Sequence, residues 1–258
     1  MSGVVGSLGR LLGLLVIAAL SLQLYFLARV GAMAWLDPQS TAYQRSEAWR
    51  LATQKSALAW SHEWLPSARI SANLKRAVIA SEDAGFADHS GVEWDALEKA
   101  WERNQKAEAA FALHDQQFQQ RPGARPSPTA TARAAPKIVG GSTITQQLAK
   151  NLFLGGERSL ARKGQEFVVT AFLEALLSKD RILEIYLNSV EWGEGVFGAE
   201  AAARRYFHTS AASLSAAQGA RLAVLLPAPK RFEKRPASPY VLGRAATIMA
   251  RVGAVEVP

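Results

Sequence analysis

Apolar residues recur every three or four positions through most of this chain, and strict alternation is nowhere sustained. That spacing predicts amphipathic helices. The first apolar run is different in kind. Leu11 to Ala28 carries no charge, and as a helix it spans about 27 Å at ~1.5 Å per residue. That is close to the ~30 Å hydrocarbon core of a bilayer. Arg29 follows, placed to snorkel toward headgroups while the helix continues to Trp35. The run reads as a transmembrane signal anchor over 11–36, behind a short cytoplasmic tail, 1–10. Arg10 precedes the span and sets the N-terminus in the cytoplasm. A cleaved signal peptide is the competing reading, with Ala32-Met33-Ala34 as a small-x-small cleavage pattern.

Beyond the anchor, the polar positions mark helix starts. "STAYQRSEAWRLATQKSALAWSHEWLP" has helical spacing and three tryptophans, and reads as a surface-lying helix or as the first helix of a globular domain. Ser71 suits an N-cap before "ANLKRAVIAS". "GVEWDALEKAWERNQ" sets Trp94, Leu97 and Trp101 on one face. Thr143 with Gln146 and Ser215 with Gln218 spell capping boxes. Ser159 caps "LARKGQEFVVTAFLEALLS", "DRILEIYLN" and "GAEAAARRYF" follow, and Pro239 sits at a first helical position. No strand of convincing length and no repeat is visible, so the class is mainly α. Lys106 to Lys137 drifts from helical spacing into Pro, Ala, Arg and Thr, and reads as a mobile insertion. His114 lies there and is given no role.

Composition narrows the chemistry. The 258 residues carry a formal net charge of +8 and no cysteine. Disulfides and thiolate catalysis are excluded, and anionic partners are favoured. Histidines stand apart at 62, 89, 114 and 208, which argues against a structural zinc site. The anchor places the domain outside the cytoplasm and away from nucleic acid.

Four polar runs do not fit a purely structural reading: "EDAGFADHSG", "GGSTITQQLAKN", "RSLARKGQE" and "KDRILEIYLN". Glu82 and Asp83 close a helix side by side, where two carboxylates repel. Gln146 and Lys150 are helical neighbours, as are Gln147 and Asn151, and Arg162 and Glu166. Glu184 and Asn188 share a face. Leu148, Leu152, Leu183, Tyr186 and Leu187 read as core, and Phe86 as packing.

In order and wording these runs closely resemble the family-51 glycosyltransferases, the peptidoglycan polymerases, from about Trp64 to Arg231. The 106–137 segment departs from that family's compact spacing. The resemblance is to the monofunctional form, with a lysozyme-like helical domain behind one membrane helix. It implies joining of lipid II, a lipid-pyrophosphate disaccharide-peptide, into β-1,4 glycan strands, with inversion and loss of the lipid pyrophosphate. The membrane and the growing strand are then partners, and other cell-wall synthesis or division proteins are candidates. By resemblance Glu82 is the general base and Glu166 the second carboxylate, on the leaving-group side. The resemblance assigns a divalent cation, Mg or Mn, to Glu166 and implies no organic cofactor. Lys150, Arg158 and Lys163 surround the pyrophosphate, with Gln146 in the donor site and Arg162 beside them. Asp83 and His89 are open between supporting the loop and meeting substrate, with support favoured. Asn188 is a candidate substrate contact. "WGEGVFG" is open between sugar contact and linkage, and "LLPAPKRF" reads as a helix stop with a basic rim.

A glycan-cleaving, lysozyme-like enzyme also suits a glutamate at a helix end. It has no need of a phosphate clamp, which separates the two readings. A non-catalytic membrane scaffold for cell-wall synthesis is the third.

Overall fold

The computed structural model describes residues 2–55, 59–119, 141–157 and 159–258. Arg158 and residues 120–137 of the expected insertion lie outside that set. The chain divides into two compact units, Met1–Gly91 with Thr143–Pro258, and Val92–Ser142.

The first unit opens with α1, Ser2–Ala32. Its stretch Ser7–Ala32 is the one helix, among the described residues, long and apolar enough to cross a membrane. Most of that stretch is exposed, but near its end Phe26 and Val30, with Met33 just beyond, are buried in the domain core. A hydrogen-bonded turn carries the chain to Leu36, short of the continuous helix expected to Trp35. α2 follows, Ala42–Gln54, started by a Thr41–Gln44 capping box. It buries Leu51, as the first helix of the domain rather than a surface-lying one. β1, Ser61–His62, leads into α3, Ala72–Glu82, capped by Ser71.

The second unit contributes α4, Trp94–Gln119. It outruns the expected helix and takes in the first half of the 106–137 segment, where Ala and Gln still favour helix.

Back in the first unit come α5, Ile144–Phe153, and α6, Leu160–Leu176. α7, Lys179–Ser189, is capped by Ser178 and runs into the strands β2, Glu191–Gly193, and β3, Val196–Phe197. α8, Ala199–Phe207, and α9, Ala216–Leu225, complete the core. α10, Pro229–Phe232, and α11, Pro239–Met249, close the chain. The Thr143 and Ser215 boxes and the Ser159 cap all form at the expected places.

The small sheet, in order β1-β3-β2, corrects the strand-free expectation. Strands of two or three residues are too short to show alternation. The expected flexible glycine loop is a hairpin with Trp192 and Phe197 fully buried. Gly195 turns it at φ +72°, where a Cβ would stand 2.0 Å from the Ala59 carbonyl oxygen. Only glycine fits there.

One surface breaks the usual rule for an amphipathic helix. The exposed positions of α6, among them Leu160, Gly164, Val168, Ala171, Ala175 and Leu176, carry no polar side chain. α1 packs beside this helix. Gln23 and Gln165 exchange two amide hydrogen bonds, of 2.8 and 3.0 Å. Arg181 clamps the end of α1 by donating to the carbonyls of Met33 and Leu36.

Candidate active site

Glu82 is the last residue of α3, where no further turn screens its side chain. Burial raises its carboxyl above the ordinary value. Hydrogen bonds from Gln147 and Ser81 oppose that shift, as does the charge of Arg244, while Asp83 adds to it. Gln147 Nε2 donates to Oε2 at 3.2 Å, and Ser81 Oγ to Oε1 at 3.2 Å.

Asp83 turns the other way and is buried. Its Oδ2 accepts from the Ile144 N–H at 2.9 Å, at the start of α5. His89 Nε2 lies 2.7 Å from Oδ1. The Gly91 N–H donates to His89 Nδ1 at 3.1 Å, so the proton sits on Nε2 and points at Asp83. Gly91 takes φ +84°, and its carbonyl accepts from Thr143 Oγ1 at 2.7 Å. Phe86 is fully buried beneath the Lys179 ammonium, 4.6 Å from its ring. The adjacent acids are thus divided: one is a partly exposed carboxylate, the other a buried brace between α3, the loop and α5.

α5 carries the next groups. Gln146 is buried, and its side chain accepts from the Thr143 N–H in the capping box. That corrects its expected place in the donor site: the amide serves its own helix end. The adjacent Gln147 faces outward. With Lys150 and Asn151 it lines a cavity of about 430 Å³, whose walls include Arg162, Tyr186 and Tyr43. Lys150 is exposed at the surface yet crowded by protein on one side. That partial burial lowers its ammonium below the ordinary value. Glu166 opposes the shift, and Arg162 and Lys163 add to it.

Glu166 is buried on α6 between two cations. Arg162 Nη1 donates to Oε2 at 2.7 Å, and Lys163 Nζ donates to Oε1. This trio is more than the surface ion pair that sequence spacing allows. Each oxygen of Glu166 is thus engaged by a cationic side chain. Lys150, Arg162 and Lys163 against Glu166 leave a formal excess of two positive charges in that cluster, while the carboxylates of Glu157 and Glu191 also line the cavity. Arg158, the remaining expected cation, lies outside the described residues.

Asn188 is corrected as well. It is fully buried. Its Oδ1 accepts from the Leu65 N–H at 2.8 Å, and its Nδ2 donates to the Leu65 carbonyl at 2.9 Å. The amide substitutes for a strand neighbour along the segment entering α3 and cannot meet substrate. Glu184 pairs with Arg181 at 2.9 Å.

Sequence reasoning missed Tyr43 and Glu191, and took Tyr186 for core alone. Tyr43 Oη donates to Glu191 Oε2 at 2.6 Å, and both line the cavity. Burial raises the Glu191 carboxyl, with Tyr43 and Lys230 opposing. Tyr43 lies in none of the polar runs, so nothing local marked it. Tyr186 is buried at its ring but carries a hydroxyl at the cavity wall.

Comparison with known proteins gives one consistent result. A family model described as Transglycosylase matches residues 51–110 and 104–253. A biosynthetic peptidoglycan transglycosylase of Burkholderia thailandensis is 51% identical over 242 residues, 93% of this chain and 84% of that protein. Its namesake in Paraburkholderia xenovorans is 49% identical over 243 residues, 94% of this chain and 90% of the relative. That of Herminiimonas arsenicoxydans is 46% identical over 243 residues, covering 94% of each.

Proposed function

Because the chain belongs to the transglycosylase family, we propose a division of labour for its cleft in peptidoglycan polymerisation. The protein is a peptidoglycan glycosyltransferase with a lysozyme-like helical domain, and it joins lipid II into glycan strands. In that reaction the 4-hydroxyl of one saccharide attacks the anomeric carbon of another. The carbon–oxygen bond to the lipid pyrophosphate breaks on the opposite face, and the hydroxyl proton must go to a base.

Glu82 takes that proton. Lys150, Arg162 and Lys163 face the charge that develops on the departing pyrophosphate. A guanidinium offers paired donors and an ammonium a point charge, a combination suited to phosphate oxygens. Glu166 holds Arg162 and Lys163 in place. The observation that carries this reading is the pair Gln147 and Lys150 on α5. One touches Glu82, the other stands one turn on, and both line the same cavity. Gln147, the partner of the base, and the leaving-group cation Lys150 therefore share a wall, about 5–6 Å apart at Cβ.

Changing Lys150 to Met tests the clamp, by following glycan polymer on a gel with lipid-linked disaccharide-peptide as substrate. A loss of about 100-fold in kcat/KM is expected, the scale of removing one cation from a partly desolvated charged contact. The parent enzyme carries a matching pH signature. Since the Lys150 ammonium is lowered, its charge is lost as pH rises through a value below the ordinary lysine range, and KM climbs there. A parental alkaline limb unchanged in the Met variant would remove Lys150 from the clamp.

We further place the protein in the bacterial inner membrane, single-pass, with its N-terminus in the cytoplasm and its catalytic domain in the periplasm. Ser7–Ala32 is about 39 Å long, more than the hydrocarbon core requires. The domain-packed turns of α1 belong to its outer end. The reciprocal Gln23–Gln165 pairing leaves no amide unmet, as an apolar layer demands. The nonpolar face of α6 continues that layer onto the domain. The chain has no cysteine, so single cysteines at Val168 and Ala175 can carry a fluorophore in phosphatidylglycerol–phosphatidylethanolamine vesicles. Doxyl-lipids are expected to quench both sites and to spare one at Thr247. Quenching by aqueous iodide alone would place α6 outside the bilayer.

A further inference from the structure

Behind the carboxylate lies a second layer that the proposed function leaves unused. Tyr186, on α7, is 1% exposed. Its Oη donates to Gln147 Oε1 at 3.0 Å. The other end of the same amide, Nε2, donates to Glu82 Oε2 at 3.2 Å. Three elements, α7, α5 and α3, thus meet through one amide. A glutamine can present either oxygen or nitrogen to a neighbour, and the two ends differ little in shape. Something must choose. With the amide reversed, its oxygen would face an ionised carboxylate oxygen, and repulsion would turn Glu82 aside.

We propose that Tyr186 and Gln147 act as positioning residues for Glu82: the buried phenol fixes the glutamine amide with its nitrogen toward the carboxylate and so holds that carboxylate against the cavity-lining Gln147. The inference rests on Glu82 being the base. Burial, with the charges of Glu82 and Asp83, keeps the Tyr186 phenol far above its ordinary range. The hydroxyl therefore stays protonated, and its donor role is constant at every working pH. Ser81 secures the other oxygen of Glu82, and Asp83 and Arg244 supply the nearby charges. The amide links the carboxylate to the cavity lining that also holds Lys150.

Two variants test the arrangement, Tyr186→Phe and Gln147→Leu, in the full-length protein with lipid-linked disaccharide-peptide. Gln147→Leu removes a donor that opposes the effect of burial on Glu82, and Tyr186→Phe removes the group that orients that donor. The carboxyl then titrates at higher pH, and the acid limb of kcat moves the same way. Losing one hydrogen bond to a charged group corresponds to about one pH unit. Gln147→Leu is expected to show that full displacement and a drop of about 100-fold in kcat. Tyr186→Phe should show a smaller displacement and a drop of about 10-fold, with KM within about twofold for both. The double variant should be no slower than Gln147→Leu alone, because the phenol acts through the amide. Rates lowered equally at all pH values, or additive losses in the double variant, would overturn the proposal.

A direct readout separates this idea from the assignment of the base. Glutamate carboxyl carbons labelled with carbon-13 report the titration of Glu82 whether or not the enzyme turns over. If Gln147→Leu leaves that titration in place, the positioning role is wrong. If the titration moves but Glu82→Gln remains active, the geometry stands and the base is another group. Gln147 is partly exposed, so its variant keeps the test usable should Tyr186→Phe fail to fold.

Discussion

Glu82→Gln is expected to lower polymerisation by about 1,000-fold while the protein becomes more resistant to heat. The first effect follows from removing a general base, a change worth roughly 10²–10⁴ in rate. KM should hardly move, because the amide keeps the shape and Lys150, Arg162 and Lys163 are intact. The second effect has its own sign. Burial raises the Glu82 carboxyl in the folded protein. An acid that binds its proton more tightly when folded favours folding while protonated. That benefit is lost as pH rises from the unfolded toward the folded value. Wherever the carboxylate is ionised, the folded protein holds that charge against its preference, and the neutral amide relieves that. The unfolding midpoint of the variant should exceed the parent's at pH 7 and converge on it in acid. A ladder of glycan products from the variant matching the parent's would remove Glu82 from the chemistry.

The neighbouring acid should behave in the opposite way. Asp83→Ala is expected to cost about 3 kcal/mol of stability, the scale of stranding buried partners of a charged acceptor. Two groups are left unmet, the Ile144 N–H at the head of α5 and the His89 ring. For a chain of this size the unfolding midpoint should fall by roughly 6–12 °C. Activity falls too, but through geometry: α5 carries Gln147 and Lys150, and its first turn loses its tie to α3. Asp83→Asn, which keeps one acceptor, should recover part of the midpoint. An Ala variant that melts with the parent yet polymerises slowly would show that Asp83 meets substrate directly.

The contrast between these two acids shows what a sequence can and cannot carry. Their adjacency at a helix end was visible, and so was the likeness of the surrounding run to a known family. Helical spacing of about 100° per residue also set them on different bearings. The partners waiting on those bearings were not visible. The Ile144 N–H stands far along the chain from Asp83, and a backbone donor leaves no mark on residue type. Gln146 and Gln147 make the same point. One glutamine completes a capping box, and that geometry follows from local sequence. The outward one reaches Glu82 through tertiary packing alone. Asn188 was misassigned because a polar residue inside a motif suggests ligand contact, whereas its amide pairs with the backbone of Leu65. The helices themselves were largely legible, because caps and apolar spacing are local signals. The sheet was not, because its pairing of Ser61 with Val196 joins distant segments with too few residues to form a pattern.

The docking of α1 has a consequence of a different sort. Phe26, Val30 and Met33 are core residues, and Arg181 grips the carbonyls beyond them. A domain on a loose leash would swivel, meeting its substrate from any side and laying product in any direction. Here the leg is part of the body. The domain keeps one heading relative to the axis of that helix. A version of the chain trimmed to Asp37 would lose more than its address. It would bare the apolar socket where Phe26 meets Phe153, whose ring centroids lie 5.1 Å apart, and such a protein would clump rather than float free.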